Sequence, residues 1–247
     1  MSRKNKITGY LAALIFLFAA WYGLSFLAQI PFLPSPAVVF VNIKKIFISD
    51  ILVHLVYSLW RIAAGITASV LVGIPLGLCM GYYKTWDKLL SPVVYFTYPI
   101  PKIALIPLIM LIFGLGELSK IAMIFLIVVF QIIVSARDSG RAIPKETFYS
   151  LYSLGAGSLD IFRRVILPAS LPGLLTSIRI SLGTSLSVLF FTETFGTQYG
   201  MGYFIMDSWM RVNYIDMFSG ILVLSVAGFL LFFLVDLLER LLCPWKP

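Results

Sequence analysis

Charge is missing from this chain over stretches long enough to cross a bilayer, and that feature decides most of what it can fold into. The run from Ile7 to Ala28 holds 22 residues without one Asp, Glu, Lys or Arg. About 20 such residues, wound as a helix, cover the hydrocarbon core of a membrane. Comparable runs recur to the C-terminus, so charged residues make up only 12% of the chain while 60% is hydrophobic. Soluble domains carry about 25% charged residues, and a mean hydropathy of +0.97 leaves too little polar surface to face water. Backbone polar groups in lipid must be satisfied within their own segment. These constraints point to an all-α polytopic membrane bundle of about six transmembrane helices. Residues 1–247 read as a single transmembrane domain, with no stretch polar enough for a second, soluble one.

The uncharged stretches place spans near residues 7–29, 56–83, 89–113, 120–136, 172–195 and 216–238. Arg3, Lys4 and Lys6 ahead of the first run resemble the start of a signal peptide. The run is longer than the roughly 7–15 residues of a signal-peptide core, which favours a retained first helix. With both termini in the cytoplasm, twelve of the 19 basic residues fall inside: Arg3, Lys4, Lys6, Lys84, Lys88, Arg137, Arg141, Lys145, Arg163, Arg164, Arg240 and Lys246. Lys44, Lys45, Lys120 and Arg211 fall outside, and Arg61, Lys102 and Arg179 lie within or at the edges of spans. That asymmetry follows the positive-inside rule. The basic residues gather at span ends and form no continuous face, so the formal charge of +8 does not indicate nucleic acid. Cys79 and Cys243 are read as reduced thiols at cytoplasmic helix ends.

Residues 137–170 form the one long polar insertion. Within it, Phe148, Leu151, Tyr152 and Leu154 recur at helical spacing, as do Leu159, Ile161, Phe162, Val165 and Ile166. Gly155-Ala156-Gly157-Ser158 separates the two patterns, and its glycines allow a tight turn that another surface can approach. Asp160 early and Arg163-Arg164 late in the second pattern suit the helix dipole. Pro168 and Pro172 are expected to end that helix and open the next span. The result is a helix–turn–helix knob.

This segment resembles the cytoplasmic signature of binding-protein-dependent ABC transporter permeases: Glu-Ala-Ala, three residues, Gly, nine residues, Ile, any residue, Leu-Pro. Gly155, Val165, Leu167 and Pro168 fall at that spacing, whereas Tyr149-Ser150-Leu151 replaces Glu-Ala-Ala and Glu146 is the nearest acid. Further blocks are similar to the nitrate/sulfonate/taurine-type branch: Leu33-Pro34-Ser35-Pro36, Ser58-Leu59-Trp60-Arg61-Ile62, Gly73-Ile74-Pro75-Leu76-Gly77, Pro99-Ile100-Pro101-Lys102, Phe113-Gly114-Leu115-Gly116-Glu117-Leu118-Ser119-Lys120 and Gly200-Met201-Gly202-Tyr203. The resemblance implies a type I importer permease fold working as a homodimer in the bacterial inner membrane. It implies two separate ABC ATPase subunits that bind ATP and Mg, and an extracytoplasmic solute-binding protein that delivers the cargo. It places the ATPase contact at Leu154, Gly155, Ala156, Gly157, Ser158 and Leu159, with Glu146, Tyr149, Arg163, Arg164 and Pro168 around it. The two arginines equally satisfy the positive-inside rule alone. Cargo in this branch ranges over sulfonates, taurine, nitrate, bicarbonate and precursors of thiamine or riboflavin; a small anion is expected.

Candidates for the translocation path come from the spans themselves. Prolines in a membrane helix leave carbonyls without partners, which is tolerated inside protein or beside water. Pro99, Pro101 and Pro107 therefore mark either a bent helix along the route or a packing kink. Glu193 is read as an outer-gate residue or as an ion-pair partner of Arg61 or Arg211, because intramembrane carboxylates pair. Arg61, Lys102 and Arg179 either attract an anionic solute or snorkel to the interface.

Other classes fit less well. A membrane hydrolase needs a base, and His54, the only histidine, is placed at the outer edge of a span where it reads as interfacial. No metal-binding spacing occurs. A channel or secondary carrier would leave the cytoplasmic knob unexplained. The chain contains no Gly-Lys dipeptide, hence no phosphate-binding loop of its own.

Overall fold

The structure, a computed structural model, describes residues 3–28, 30, 32–144, 146–153 and 155–245. Its helices are α1 (Arg3–Ala28), α2 (Pro36–Ile46), α3 (Leu52–Tyr82), α4 (Lys84–Thr97), α5 (Ile106–Phe113), α6 (Glu117–Arg141), α7 (Glu146–Ser153), α8 (Ser158–Ile161), α9 (Leu167–Glu193), α10 (Met201–Met210) and α11 (Tyr214–Leu242). Among the described residues four continuous helical stretches are long and apolar enough to span a membrane: Pro36–Tyr82, Glu117–Arg141, Ser158–Glu193 and Tyr214–Leu242. The pair α4 and α5 makes a fifth, bent by 80° at its break. The apolar part of α1, Ala12–Leu27, is shorter, so the described residues give four or five spans by length and composition, roughly consistent with the expected six.

Helices in lipid gain nothing from hiding apolar surface, so close packing must come from small residues. Gly65, Ser69, Gly73, Gly77 and Gly81 recur every fourth position of α3 and so share one face, which lies on α6. A Cβ at Gly65 would come within 2.6 Å of Ile124 Cγ2, one at Gly73 within 2.9 Å of Ile132 Cγ2, and one at Gly81 within 2.7 Å of the Arg137 carbonyl. Ser69 is fully buried there and donates its hydroxyl to the Gly65 carbonyl at 2.8 Å. Around this seam Ile62, Ile66, Met123, Ile124, Val128 and Ile132 join Leu182 and Leu189 of α9 and Val235 of α11 in the main core.

Two span boundaries differ from the sequence reading. The second helix does not begin near residue 56: α2 runs through a π turn (Phe47–Ile51) into α3, giving an unbroken 47-residue helix. At 1.5 Å per residue that is about 70 Å, longer than a hydrocarbon core is thick, and Lys44 and Lys45 lie within the helix rather than interrupting it. Asn42 donates to Asp216 Oδ1 at 2.7 Å and to Ser219 Oγ at 3.1 Å, tying α2 to α11. Likewise Pro168 does not end the helix before it. A second π turn, Phe162–Ile166, carries α8 into α9, and Pro172 lies inside α9. The wider turn shifts the bonding so that Leu167 N–H reaches the Phe162 carbonyl, and the N–H that proline lacks is not missed there.

Candidate functional site

At one end of the bundle α6 begins, α9 ends and α3 carries Arg61 in its third turn; these three elements share one charge cluster, buried except at Glu117, whose side chain is 44% exposed. Arg61 and Glu193 are both completely buried. Arg61 Nη1 donates to Glu193 Oε1 at 2.6 Å and to the Tyr199 carbonyl at 2.8 Å, and Nε donates to Glu117 Oε2 at 2.7 Å. Glu193 also accepts from Ser58 Oγ at 2.9 Å and from Gly202 N–H at 2.8 Å. Ser58 Oγ in turn accepts from Met201 N–H at 2.8 Å. Buried Lys120 donates to the carbonyls of Leu115 at 2.7 Å and Gly116 at 3.2 Å, so the cluster holds two positive and two negative charges. Such matching is what makes ionised groups tolerable away from water. His54 accepts from Gly200 N–H at 3.1 Å, which makes it a tie between α3 and the loop before α10. Gly200 adopts φ +127°, and a Cβ there would strike the Glu193 carboxylate. The Gly200-Met201-Gly202 block thus lets the loop close over the ion pair.

Of the two pairings expected for Glu193, the structure has the one with Arg61; Arg211 instead pairs with Asp207 at 2.6 Å. Burial on both sides means that neither Arg61 nor Glu193 is open to a solute in this conformation. Arg179 pairs with Asp236 and with Glu239, the latter at 2.6 Å, and so links α9 to α11. Lys102 behaves differently. It follows the α4–α5 break, where Pro101 cannot supply the N–H that the Thr97 carbonyl would receive in a helix. Lys102 Nζ reaches back to that carbonyl at 3.1 Å and to the Tyr98 carbonyl at 2.9 Å. Pro99 and Pro101 lie at the break itself, and Pro107 lies in the first turn of α5, where proline is accommodated.

The face of the bundle beside this break is recessed, with a few polar groups set in a mostly apolar lining. One recess of about 560 Å³ sets Lys102, Thr184 and Ser187 among mostly apolar neighbours that include Ile100, Ile103, Ile127 and Val188. A second, of about 650 Å³, is lined by Tyr98, Gln131, Ser135, Asp138, Thr176 and Ser177 among others. Thr176, Ile180, Thr184 and Ser187 follow one helical face of α9. Ser177 Oγ is buried without a hydrogen-bond partner among the described residues. The exposed side of α11 is the opposite in character: Val226, Phe229, Leu230, Phe233, Leu234 and Leu237. Lipid suits that side, whereas the Lys102 charge beside α9 calls for water or another protein surface. The hydroxyl row escaped the sequence reading, because Ser and Thr carry no charge and merge with the hydrophobic run.

At the other end, about 37 Å away along the 25 residues of α6, residues 143–166 fold back over the ends of α3, α6 and α9. Ile143, Ile161, Val165 and Ile166 bury against Leu78, Ala136 and Leu174, with Phe148 and Ala156 packed on them. Glu146, Tyr149, Gly155, Gly157, Ser158, Leu159, Arg163 and Arg164 remain exposed, and Pro168 is half-buried. Leu154 lies outside the described residues. Gly155 has φ +74°, a left-handed conformation that favours glycine, while Gly157 is ordinary at φ −73°. Among the described residues Arg164 pairs with Asp160, one turn earlier, at 3.5 Å. Thus the turn between α7 and α8 is a solvent-facing knob on an apolar footing. No group of three or more His, Cys, Asp or Glu able to hold a metal occurs among the described residues.

Comparison with known proteins identifies the family and the fold. The family model for the binding-protein-dependent transport system inner membrane component matches residues 69–245. The taurine transport system permease protein TauC of Escherichia coli (strain K12) is 32% identical over 98% of this chain and 91% of its own length. The formylaminopyrimidine transport permease protein ThiX of Halalkalibacterium halodurans is 30% identical over 87% of this chain and 86% of its own. An inward-facing structure of the MetNI methionine ABC transporter superposes with a TM-score of 0.67 at 20% identity, covering 85% of this chain and 99% of that one, which shows the shared fold. With its membrane-spanning helices and this match over most of its length, the chain belongs to the family of binding-protein-dependent ABC transport permeases, in the nitrate/sulfonate/taurine-type branch.

Proposed function

We propose that residues 1–247 act as one permease domain that imports a small organic anion of the sulfonate class, with taurine as a representative, by alternating access. Two copies enclose the route, and the recessed face of α6, α9 and the α4–α5 break lines it. The observation that carries this reading is that this face is indented and holds Lys102 and a row of hydroxyls, whereas the exposed face of α11 is dominated by large apolar side chains. A lysine charge within a span is costly and faces the bundle interior or a water-filled cavity. Two ATPase subunits bind ATP and Mg and dock on the knob at 155–159, on the cytoplasmic side with both termini; this chain performs no catalysis. An external solute-binding protein delivers the cargo at the end that holds the Arg61 cluster. That cluster ties α3, α6 and α9 so that they rock together as one body while the outer gate changes shape.

The similarity to ThiX supports a second reading, in which the same machinery imports a pyrimidine precursor of a vitamin. A pull-down of the tagged permease from detergent-solubilised native membranes, followed by mass spectrometry, tests the machinery. The expected result is a co-purifying ABC ATPase with a second permease copy. A clean homo-oligomer without an ATPase would favour a channel or carrier instead.

A further inference from the structure

The cations that the sequence places within the spans, together with Lys120, divide sharply once their partners are known. Arg61 is held by Glu117 and Glu193, and Arg179 by Asp236 and Glu239. Lys120 is fully buried on carbonyl oxygens within the neutral cluster. Lys102 pairs with no carboxylate among the described residues. Its ammonium reaches two carbonyls, at 3.1 and 2.9 Å, which leaves one of its three N–H donors unused. The ring centroids of Phe130 and Tyr98 stand 5.2 and 5.6 Å from Nζ, fixing the charge by cation–π contact. An uncompensated charge held in place at a helix break inside a span is costly, and this one lines the 560 Å³ recess opposite α9.

The other wall of that recess offers hydroxyls. Thr184 Oγ1 donates back to the Ile180 carbonyl at 3.4 Å and Ser187 Oγ to the Gly183 carbonyl at 3.3 Å. Both bonds are long and easily given up, so either hydroxyl can turn to an incoming acceptor. Gly183, one turn before Ser187, also lines the recess. Farther along the same helix, Ser177 Oγ buries an unsatisfied donor in the adjoining recess.

We infer that Lys102, with the hydroxyls of Thr184 and Ser187, forms an anion-selecting station in the translocation path that takes the sulfonate or a comparable strong-acid group of the solute. This rests on the reading of that face as the route. One free ammonium N–H and two rotatable hydroxyls make a sparse site, and a conducting site must bind weakly enough to release.

The test uses the complex purified from native membranes, reconstituted in proteoliposomes with its binding protein, and uptake of radiolabelled taurine, ethanesulfonate and formylaminopyrimidine. Lys102→Met should lower sulfonate uptake at least tenfold, while Lys102→Arg, which keeps the charge, stays within threefold of the unmodified complex. Thr184→Val combined with Ser187→Ala should lower it threefold or more. A fall of less than threefold for Lys102→Met, in a complex whose unmodified form takes up sulfonates, overturns the station and leaves the importer reading intact. Uptake of formylaminopyrimidine alone by the unmodified complex overturns both the station and the anion reading. Should Lys102→Met fail to assemble, the hydroxyl double variant decides: a fall of less than threefold overturns the station.

Discussion

Replacing Glu193 with Gln keeps its shape and removes its charge, and the geometry defines what is lost. One carboxylate oxygen accepts from Arg61 Nη1 at 2.6 Å and the other from Gly202 N–H at 2.8 Å. Whichever way the new amide is turned, its NH2 faces one of these donors, so one bond becomes a donor–donor clash. The other bond loses its charge assistance; hydrogen bonds to charged groups are worth about 1.5–3 kcal/mol. Arg61 keeps its double contact with Glu117, which holds the cost near the lower end of the roughly 3–5 kcal/mol for breaking a buried pair. About 3 kcal/mol is expected. At about 2–4 °C per kcal/mol for a chain of this size, the midpoint of a tryptophan-fluorescence melt in detergent should fall by about 6–12 °C. In an Arg61→Met background the same change should cost at least about 1.5 kcal/mol less, the signature of direct coupling. A fall below about 2 °C, or equal costs in both backgrounds, would refute the reasoning.

Gly77→Leu places a side chain where even a Cβ would lie 2.6 Å from that of Ala136 and against the Ile133 carbonyl. It should abolish a monodisperse detergent-purified species, while Gly116→Leu, with open space around it, should not; size-exclusion chromatography separates the two. Leu159→Asp alters a residue that is 62% exposed, so its melt should stay within about 0.5 kcal/mol of the unmodified protein while the ATPase is lost from pull-downs. Gly157→Trp should do the same without backbone strain, since Gly157 has an ordinary φ and nothing within 4 Å of its would-be Cβ. Undiminished ATPase recovery in both variants would remove the docking assignment from the knob.

Hydropathy reveals most of the spans, while proline positions point to the break at Pro99–Pro101 and helical spacing with the glycines to the two short helices around Gly155, because each is written in local residue order. The pairing of Glu193 with Arg61 is also foreseeable, since a carboxylate in a span needs a cation and few are available. Glu117 is harder to foresee. At the start of a helix an acid is expected for the dipole alone, and nothing local shows that it reaches Arg61. The continuity of α2 with α3 is hidden because Lys44 and Lys45 interrupt the apolar run without interrupting the helix. The glycine ladder of α3 and the hydroxyl row of α9 are visible only when positions are counted four apart, and their meaning depends on which neighbour each face meets. Lys102 stands apart from Arg61 and Arg179 for the same reason: only the fold reveals which cations have carboxylate partners.

Uptake of radiolabelled solute into proteoliposomes, with ATP enclosed or omitted and the binding protein outside, tests ATP-driven import most directly. The expected result is accumulation that requires both ATP and the binding protein and is lost in Leu159→Asp. Equal uptake without ATP would contradict the importer mechanism.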